Sequence, residues 1–183
     1  NDFAGVMSSA DRAATERLLI ELEQKTGAQI AVVTLQSLDG GQIADFSTHL
    51  FERWGIGQKG KDNGILLLGA TGEDRGNRLR IEVGYGLEGV IPDAAAGRIL
   101  DTFVLREWSQ GQYGVAMANG AAAIAQRIAE DKGVTLSGVP EQIRYSRSEQ
   151  HDNGGGIFQI IFLIIMVIAV IRHPWLLLFI GGG

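Results

Sequence analysis

Apolar residues recur at helical spacing along much of the chain before residue 132, and glycines or polar turns separate the segments. The predicted helices cover residues 8–26, residues 43–54, a segment that begins near residue 93, and residues 113–131. Ser8 and Asp11 fit a capping box at the start of the first helix, and Gly27 is suited to end it. We expect Asp93 to cap the third helix. The fourth is rich in alanine, so it can pack closely against its neighbours.

Three other segments predict strands. Gln29–Leu35 is a mainly apolar run rich in β-branched residues and Ile65–Gly69 is apolar throughout, as in strands buried on both faces of a sheet. Leu79–Val83 alternates apolar and charged residues, which predicts a half-exposed strand. The order strand, helix, strand predicts a right-handed parallel crossover, and the short turn after the second strand predicts an antiparallel hairpin. The fold class is therefore α/β, a three-layer α/β/α sandwich around a small mixed β-sheet.

The C-terminal quarter of the chain has a different pattern. We predict an α/β domain over residues 1–133, a flexible tether over 134–156, a transmembrane or membrane-associated segment over 157–180, and the start of a glycine-rich tail over 181–183. The run of residues 157–171, apolar except for Gln159, would give a helix of roughly 22 Å, short of the roughly 30 Å hydrocarbon core. The span either ends near Arg172 or continues to Ile180, by a kinked helix or a re-entrant segment.

Charge and composition narrow the functional classes. The formal net charge is −5, and Arg172 is the only charged residue after Asp152. The part before the apolar run is thus acidic, which argues against nucleic acid as a partner. The absence of cysteine excludes thiol catalysis, cysteine zinc sites and disulfides. The opening NDFAGVMSS indicates a removed signal peptide or a trimmed chain, and we expect the domain on the periplasmic or extracellular side of a membrane.

Two glycine-rich segments have the spacing of nucleotide-binding motifs but lack their context. In residues 84–89 (GYGLEG), Glu88 would face the pyrophosphate, and Pro92 delays the helix that should bind it. Residues 55–61 match the start of a P-loop, but Asp62 stands where the magnesium ligand should be, and the loop precedes a strand. The three histidines fall in separate segments, which argues against a nucleophile–histidine pair.

One group of polar residues passes a geometric test. If the second and third strands are antiparallel, the loop with Asp62 and Asn63 lies beside the loop with Glu88 and Asp93. Carboxylate and carbonyl oxygens without histidine or cysteine suit Ca²⁺ or Mg²⁺. We therefore predict Asp62, Glu88 and Asp93 as metal ligands. The alternative is structural: Asp93 caps a helix, and Asp62-Asn63-Gly64 turns the chain.

Five segments in order resemble the TPM domain family: residues 2–6 (DFAGV), 26–34 (TGAQIAVVT), 54–57 (WGIG), 62–68 (DNGILLL) and 84–93 (GYGLEGVIPD). That family includes thylakoid-lumen photosystem II repair proteins and many bacterial membrane-anchored proteins. The resemblance implies a small three-layer α/β domain between a signal peptide and a transmembrane helix. Calcium binding and acid phosphatase activity are attributed to some members.

Two functions follow as hypotheses. The first is a calcium-responsive binding or assembly module that acts on membrane protein complexes and is held in the lipid bilayer by residues 157–180. The second is a weak acid phosphatase that uses the carboxylates, with help from Lys59, Lys61 and Arg98. Self-association stays open, because the small residues between Ala116 and Ala125 suit packing within the domain or between copies.

Overall fold

The computed structural model describes residues 1–143. Its helices are α1 (Ser9–Thr26), α2 (Ile43–Trp54), α3 (Asp93–Ile99), α4 (Leu105–Ser109) and α5 (Tyr113–Asp131), and its strands are β1 (Gln29–Leu35), β2 (Gly64–Ala70) and β3 (Leu79–Val83). A single 3₁₀ turn forms at Tyr85–Leu87, and a π-helical turn at Leu100–Val104 joins α3 to α4. All the predicted elements are present, with small shifts at their ends.

The three strands form one mixed sheet in the order β1-β2-β3. β1 pairs parallel to β2 with Gln29 opposite Gly64, and β2 pairs antiparallel to β3 with Ile65 opposite Val83. The starts of β1 and β2 and the end of β3 therefore lie at the same end of the sheet. The predicted parallel and antiparallel pairings are confirmed.

Every residue of the central strand β2 is buried, because each face of the sheet is covered by helices. Ile65 and Leu67 pack in the larger core, with α1, α5 and the segment from α3 to α4. Leu66 and Leu68 point to the opposite face and pack in a smaller core with α2. The predicted small α/β sandwich is thus observed in residues 1–143.

The helix ends test the predicted caps. The backbone N–H of Asp11 donates to the Ser8 hydroxyl (3.0 Å), and Gly27 ends α1 in the left-handed conformation with φ 76°. Both features agree with the sequence. The prediction that Asp93 caps α3 is wrong, because Pro92 occupies the cap position and Asp93 is the first helical residue. A carboxylate there still lies at the positive end of the helix.

The compact unit continues past the predicted domain end at residue 133 and reaches Ile143. Leu136, Val139 and Ile143 are buried in the larger core, so residues 134–143 pack on the domain rather than belonging to a tether. The apolar residues that anchor this polar segment to the domain are widely spaced. They show no recognisable period, so the sequence pattern did not predict their burial. The rest of the predicted tether, the apolar segment 157–180 and the tail 181–183 lie outside the described residues. None of the helices within residues 1–143 is long and apolar enough to cross a membrane.

Candidate functional site

The predicted site lies at the end of the sheet where β1 and β2 begin and β3 ends. Two segments meet there: the loop of residues 57–63, which precedes β2, and residues 84–93, which follow β3. We call their joint surface the rim. The Gly84 N–H donates to the Gly64 carbonyl (2.8 Å), and the Gly86 N–H donates to the Asp62 carbonyl (3.0 Å). The prediction that these two loops lie side by side is confirmed.

Glycine makes this approach possible. A Cβ atom on Gly84 would collide with the Asp62 carbonyl oxygen, and one on Gly86 would collide with the Lys61 carbonyl oxygen. A Cβ on Gly64 would likewise collide with the carbonyl of Ile56. The two segments therefore pack backbone against backbone, which holds the rim in one arrangement. Gly84 and Gly86, two of the glycines that resembled a nucleotide-binding loop, instead serve contact between two chain segments.

Asn63 has a structural role that the sequence did not reveal. Its side-chain oxygen accepts from the Gln58 N–H, and its side-chain nitrogen donates to the Gly27 carbonyl, both at 2.8 Å. Nearby, the Gly57 N–H donates to the Gln29 side-chain oxygen (2.9 Å). The amide of Asn63 thus ties the rim loop to the end of α1, so it is not free to bind a ligand.

The three predicted carboxylates are all exposed at the rim. Asp62 adopts a left-handed backbone with φ 49°, which aspartate tolerates better than most residues. Glu88 follows the 3₁₀ turn, and Asp93 begins α3. Within residues 1–143 none of the three carboxylates has a hydrogen-bond or ion-pair partner. Their oxygens therefore remain available to a ligand.

The arrangement does not form a closed metal cage. Among residues 1–143, no three histidine, aspartate or glutamate side chains are grouped so that they could hold a metal ion. The donors nevertheless have the chemistry that Ca²⁺ and Mg²⁺ prefer, since carboxylates can be completed by backbone carbonyls and water. The assignment of Asp62, Glu88 and Asp93 as metal ligands stays a prediction.

Tyr85 was missed by the sequence analysis and is the most exposed large apolar residue of the rim, at 80%. It lies in the 3₁₀ turn between Gly84 and Gly86, the two glycines packed against the neighbouring loop. An aromatic residue in a glycine-rich loop is the signal that could have identified it.

The exposed basic side chains near the rim are Lys59 and Lys61 in the first loop and Arg98 in α3. Ion pairs of the described part of the chain lie elsewhere, at Lys25–Glu21, Arg80–Glu82, Arg106–Glu107 and Lys132–Asp131. His49 is exposed on α2. The rim therefore carries both signs of charge on an exposed surface, which suits recognition better than buried acid–base chemistry.

Comparison with known proteins supports the resemblance seen in the sequence. A model of the TPM domain family matches residues 1–127. The solution NMR structure of the N-terminal domain of a protein from P. gingivalis is 31% identical, with a TM-score of 0.66. The match covers 73% of this chain and 83% of that one.

Two further solved structures share the fold at lower identity. The BA42 protein from Bizionia argentinensis is 16% identical with a TM-score of 0.57, over 73% of this chain and 92% of that one. The N-terminal domain of cg2496 from Corynebacterium glutamicum is 18% identical with a TM-score of 0.53, over 72% and 77%. No curated protein matches the chain significantly.

Proposed function

The chain belongs to the TPM domain family, and from this premise we propose that it is a membrane-associated binding module that acts on membrane protein complexes. In this proposal the rim is the recognition surface, and a divalent cation, Ca²⁺ or Mg²⁺, tunes it. The domain works outside the cytoplasm, held to the bilayer by residues 157–180. The recognition surface, the cation and the membrane segment are parts of the proposal that go beyond the family and the fold.

The observation that carries the proposal is the exposed Tyr85 on a rim whose two loops are locked together by glycine contacts. Tyrosine is enriched at the centres of protein interfaces, where it offers a large apolar ring and a hydroxyl. A preformed surface also loses little conformational entropy when it binds. The combination of an exposed tyrosine with rigid support favours recognition of another protein.

The support for a divalent cation is the chemistry of the rim oxygens. Asp62, Glu88 and Asp93 are exposed carboxylates without protein partners in residues 1–143. Ca²⁺ takes six to eight oxygen ligands and accepts water and backbone carbonyls among them. Partial coordination by exposed carboxylates would give modest affinity, which suits a regulator whose occupancy follows the local cation concentration.

The membrane part of the proposal rests on the sequence of residues 157–180, which are apolar apart from a few positions. Such a segment would keep the domain at a bilayer and raise its effective concentration near membrane proteins. The alternative of a weak acid phosphatase is not favoured. The rim carboxylates are exposed to solvent, whereas phosphoryl transfer depends on positioned groups that neutralise the charge of the transferring phosphoryl group.

The first experiment is a calorimetric titration of Ca²⁺ into residues 1–143, the compact unit that packs its own core. We expect binding by the parent and none by the Asp62→Asn/Asp93→Asn variant. The control is Asp74→Asn, which removes an exposed carboxylate in the turn at the opposite end of the sheet. Equal heats for the parent and the double variant would refute the cation site.

A second experiment tests the binding module itself. The full chain is crosslinked in native membranes with Ca²⁺ or with a chelator, beside a Tyr85→Ala variant and a Val115→Ala control. Val115 is also exposed, but on α5. We expect a membrane protein to be captured in the presence of Ca²⁺ by the parent and the control, and lost with Tyr85→Ala. Capture that is indifferent to Tyr85 would rule out the rim as the recognition surface.

A further inference from the structure

A second surface lies at the outer edge of β3, which ends the sheet on the side away from β1. The Ala70 N–H donates to the Arg78 carbonyl, and the Gly84 N–H donates to the Gly64 carbonyl, both at 2.8 Å. The backbone groups of successive residues in an antiparallel strand point to opposite sides, so the even-numbered residues of β3 face β2. The groups that point away from the sheet belong to Leu79, Ile81 and Val83.

These outward groups have no hydrogen-bond partner within residues 1–143. Because buried backbone groups without a partner are rare, we take them to face solvent. The N-terminal residues do not cover them, since the Thr34 N–H donates to the Asn1 carbonyl at the opposite edge of the sheet (3.1 Å). Residues 134–143 lie on α1, where the Ser137 N–H donates to Glu21 (3.0 Å). Within the described part of the chain, the edge of β3 is therefore free to pair with another strand.

Arg80 and Glu82 are the charged residues of β3. Both side chains point to the face of the sheet that α2 covers, and Arg80 Nε lies 3.2 Å from a carboxylate oxygen of Glu82. The Ser47 hydroxyl donates to the same carboxylate (3.0 Å), so Glu82 is held in place. The two α2 residues that contact Glu82, Ser47 and Thr48, have small side chains, so α2 presents little bulk there. Charged residues often protect an edge strand from pairing, so the order of these two charges decides what the edge accepts.

The order of the charges along β3 is self-complementary. Two copies of β3 can pair antiparallel only in registers that bring their outward groups opposite each other. With Ile81 opposite Ile81 of a second copy, Arg80 faces Glu82 of that copy, and every residue of β3 is paired. A slip of two residues in one direction sets Arg80 against Arg80, and a slip in the other direction sets Glu82 against Glu82. Opposite charges directly across two strands attract and like charges repel, so the register centred on Ile81 is favoured.

The symmetry of this pairing suits a protein that is held at a membrane. The two-fold axis of an antiparallel pair within one sheet is perpendicular to the sheet, so each face continues into the same face of the second copy. Residues 134–143 pack on the face that carries α1. The described residues of both copies therefore end on the same side, as the proposed anchoring by residues 157–180 in one bilayer requires. Confinement to a bilayer raises the effective concentration, which compensates for the small size of an edge of 5 residues.

We propose that two copies of this chain pair their β3 edges antiparallel about Ile81 and join their three-stranded sheets into one. Each facing pair of outward residues exchanges two backbone hydrogen bonds. The contacts between Arg80 and Glu82 on either side of the axis select a second copy over a strand of arbitrary sequence. The association needs no cation at the rim, so its failure and the failure of the proposed function are distinguishable.

Disulfide crosslinking of the full chain in phosphatidylcholine vesicles tests the register. The chain has no cysteine, so an equal mixture of Arg80→Cys and Glu82→Cys contains only introduced thiols. The two substituted positions face each other within disulfide reach, whereas two copies of the same variant place their thiols diagonally. We expect at least about fivefold more crosslinked dimer from the mixture than from either variant alone. Arg75→Cys, in an exposed turn that the pairing keeps apart from its copy, measures chance encounters. Equal crosslinking by the mixture and the single variants, or none above the Arg75→Cys control, would overturn the proposal.

Charge reversal tests the contacts across the axis in residues 1–143. The parent should self-associate as its concentration rises toward about 1 mM in sedimentation equilibrium. Arg80→Glu and Glu82→Arg each set like charges opposite each other, and each should weaken the association about tenfold. An equal mixture of these two variants restores opposite charges at both contacts and should associate as the parent does. Circular dichroism and urea unfolding check that each variant is folded. A parent that stays monomeric, or a mixture of folded variants that associates no better than its components, would contradict the pairing.

Hydrogen exchange at the Ile81 amide separates a second copy from two other occupants of the edge. In the proposed dimer, its protection rises with the concentration of the purified full chain. If later residues of the same chain covered β3, the amide would be protected in the dilute monomer and would lose that protection in residues 1–143. If a strand of another protein were the occupant, the purified chain would show no protection at any concentration, and protection would require added membrane proteins. Either of these two results would overturn the proposal.

Discussion

Glu73 and Asn77 at one end of the sheet and Asp62 at the other differ in whether the protein itself satisfies their side chains. At the end opposite the rim, Glu73 accepts from the Leu38 N–H (2.8 Å), and Asn77 accepts from the Ile43 N–H (2.6 Å). Both side chains tie the hairpin turn to neighbouring loops. At the rim, Asp62 is exposed and its carboxylate has no partner within residues 1–143.

The difference shows how to separate structure from function in this domain. A polar group whose hydrogen bonds are satisfied by the protein stabilises the fold, and its removal leaves a partner unsatisfied. An exposed group without a protein partner contributes little to stability and is free to meet a ligand. By this criterion Asp62 at the rim is a candidate for ligand contact, and Glu73 and Asn77 at the opposite end stabilise the fold.

The largest expected effect comes from forcing the two rim segments apart. Gly86→Ala places a methyl group against the Lys61 carbonyl oxygen, so we expect a loss of about 3 kcal/mol in the free energy of unfolding. Gly89→Ala is the matched control, because a Cβ there meets nothing within 4 Å. Urea unfolding of both variants checks this. Equal stability would mean that the close contact does not constrain the rim.

The next effect is expected at the opposite end. Asn77→Ala removes the acceptor of the Ile43 N–H in the first turn of α2 and the bond from the Asn77 side-chain nitrogen to the Gly41 carbonyl (2.9 Å). We expect a loss of about 2 kcal/mol in the free energy of unfolding. Arg75→Ala, in the same exposed turn, should change stability by less than about 0.5 kcal/mol. If Asn77→Ala matched Arg75→Ala, the turn would not support α2.

A smaller, pH-dependent effect is expected at Glu73. The hydrogen bond from the Leu38 N–H, with a further one from the Ser37 hydroxyl, lowers the pKa of Glu73 below its ordinary value of 4.5. The carboxylate therefore stabilises the fold above its ordinary pKa, and this contribution is lost as pH falls through the lowered folded pKa.

Thermal melts of the parent and Glu73→Gln between about pH 7 and about pH 3 test this linkage. The parent should be more stable near neutrality, and the gap should close as the solution is acidified. A gap that stayed constant with pH would show that Glu73 acts by packing rather than by its charge.

The smallest effect on stability is expected at the rim carboxylates. Asp62→Asn keeps a residue that tolerates the left-handed backbone, and it removes no protein contact of residues 1–143. We expect a change of less than about 0.5 kcal/mol in the free energy of unfolding. A clear loss of unfolding free energy, measured with urea, would mean that Asp62 stabilises the fold and would contradict the contrast between the two ends.

Local patterns were enough to predict most of the fold. The bounds of β1 and β3 agree with the structure, because apolar runs and alternation are typical of strands. Burial on both faces is complete only for Val32–Thr34 of β1. Gly27 was predicted to end α1 because few other residues adopt its left-handed backbone easily. The packing of Leu136, Val139 and Ile143 escaped prediction, since three spaced apolar residues have no period to detect.

The candidate site could be predicted only in part. Hairpin geometry placed the Asp62 loop beside the glycine-rich segment, and the structure confirms this neighbourhood. The role of one predicted side chain differs from the expectation: the amide of Asn63 is hydrogen-bonded to the backbone of Gln58 and Gly27. Whether an amide binds the backbone or a ligand depends on which loops surround it, and adjacency in sequence does not contain that information.

The sequence by itself determined the family, through the ordered motifs that resemble it. It also determined the order of helices and strands and the pairing of the sheet, since these follow from local periodicity and the length of connections. The tertiary structure alone decided which polar groups are already satisfied and which side chains stay exposed. Asn77 is hydrogen-bonded within the fold, while Tyr85 remains exposed. Satisfaction of a hydrogen bond depends on partners that are distant in the chain and are brought together only by folding.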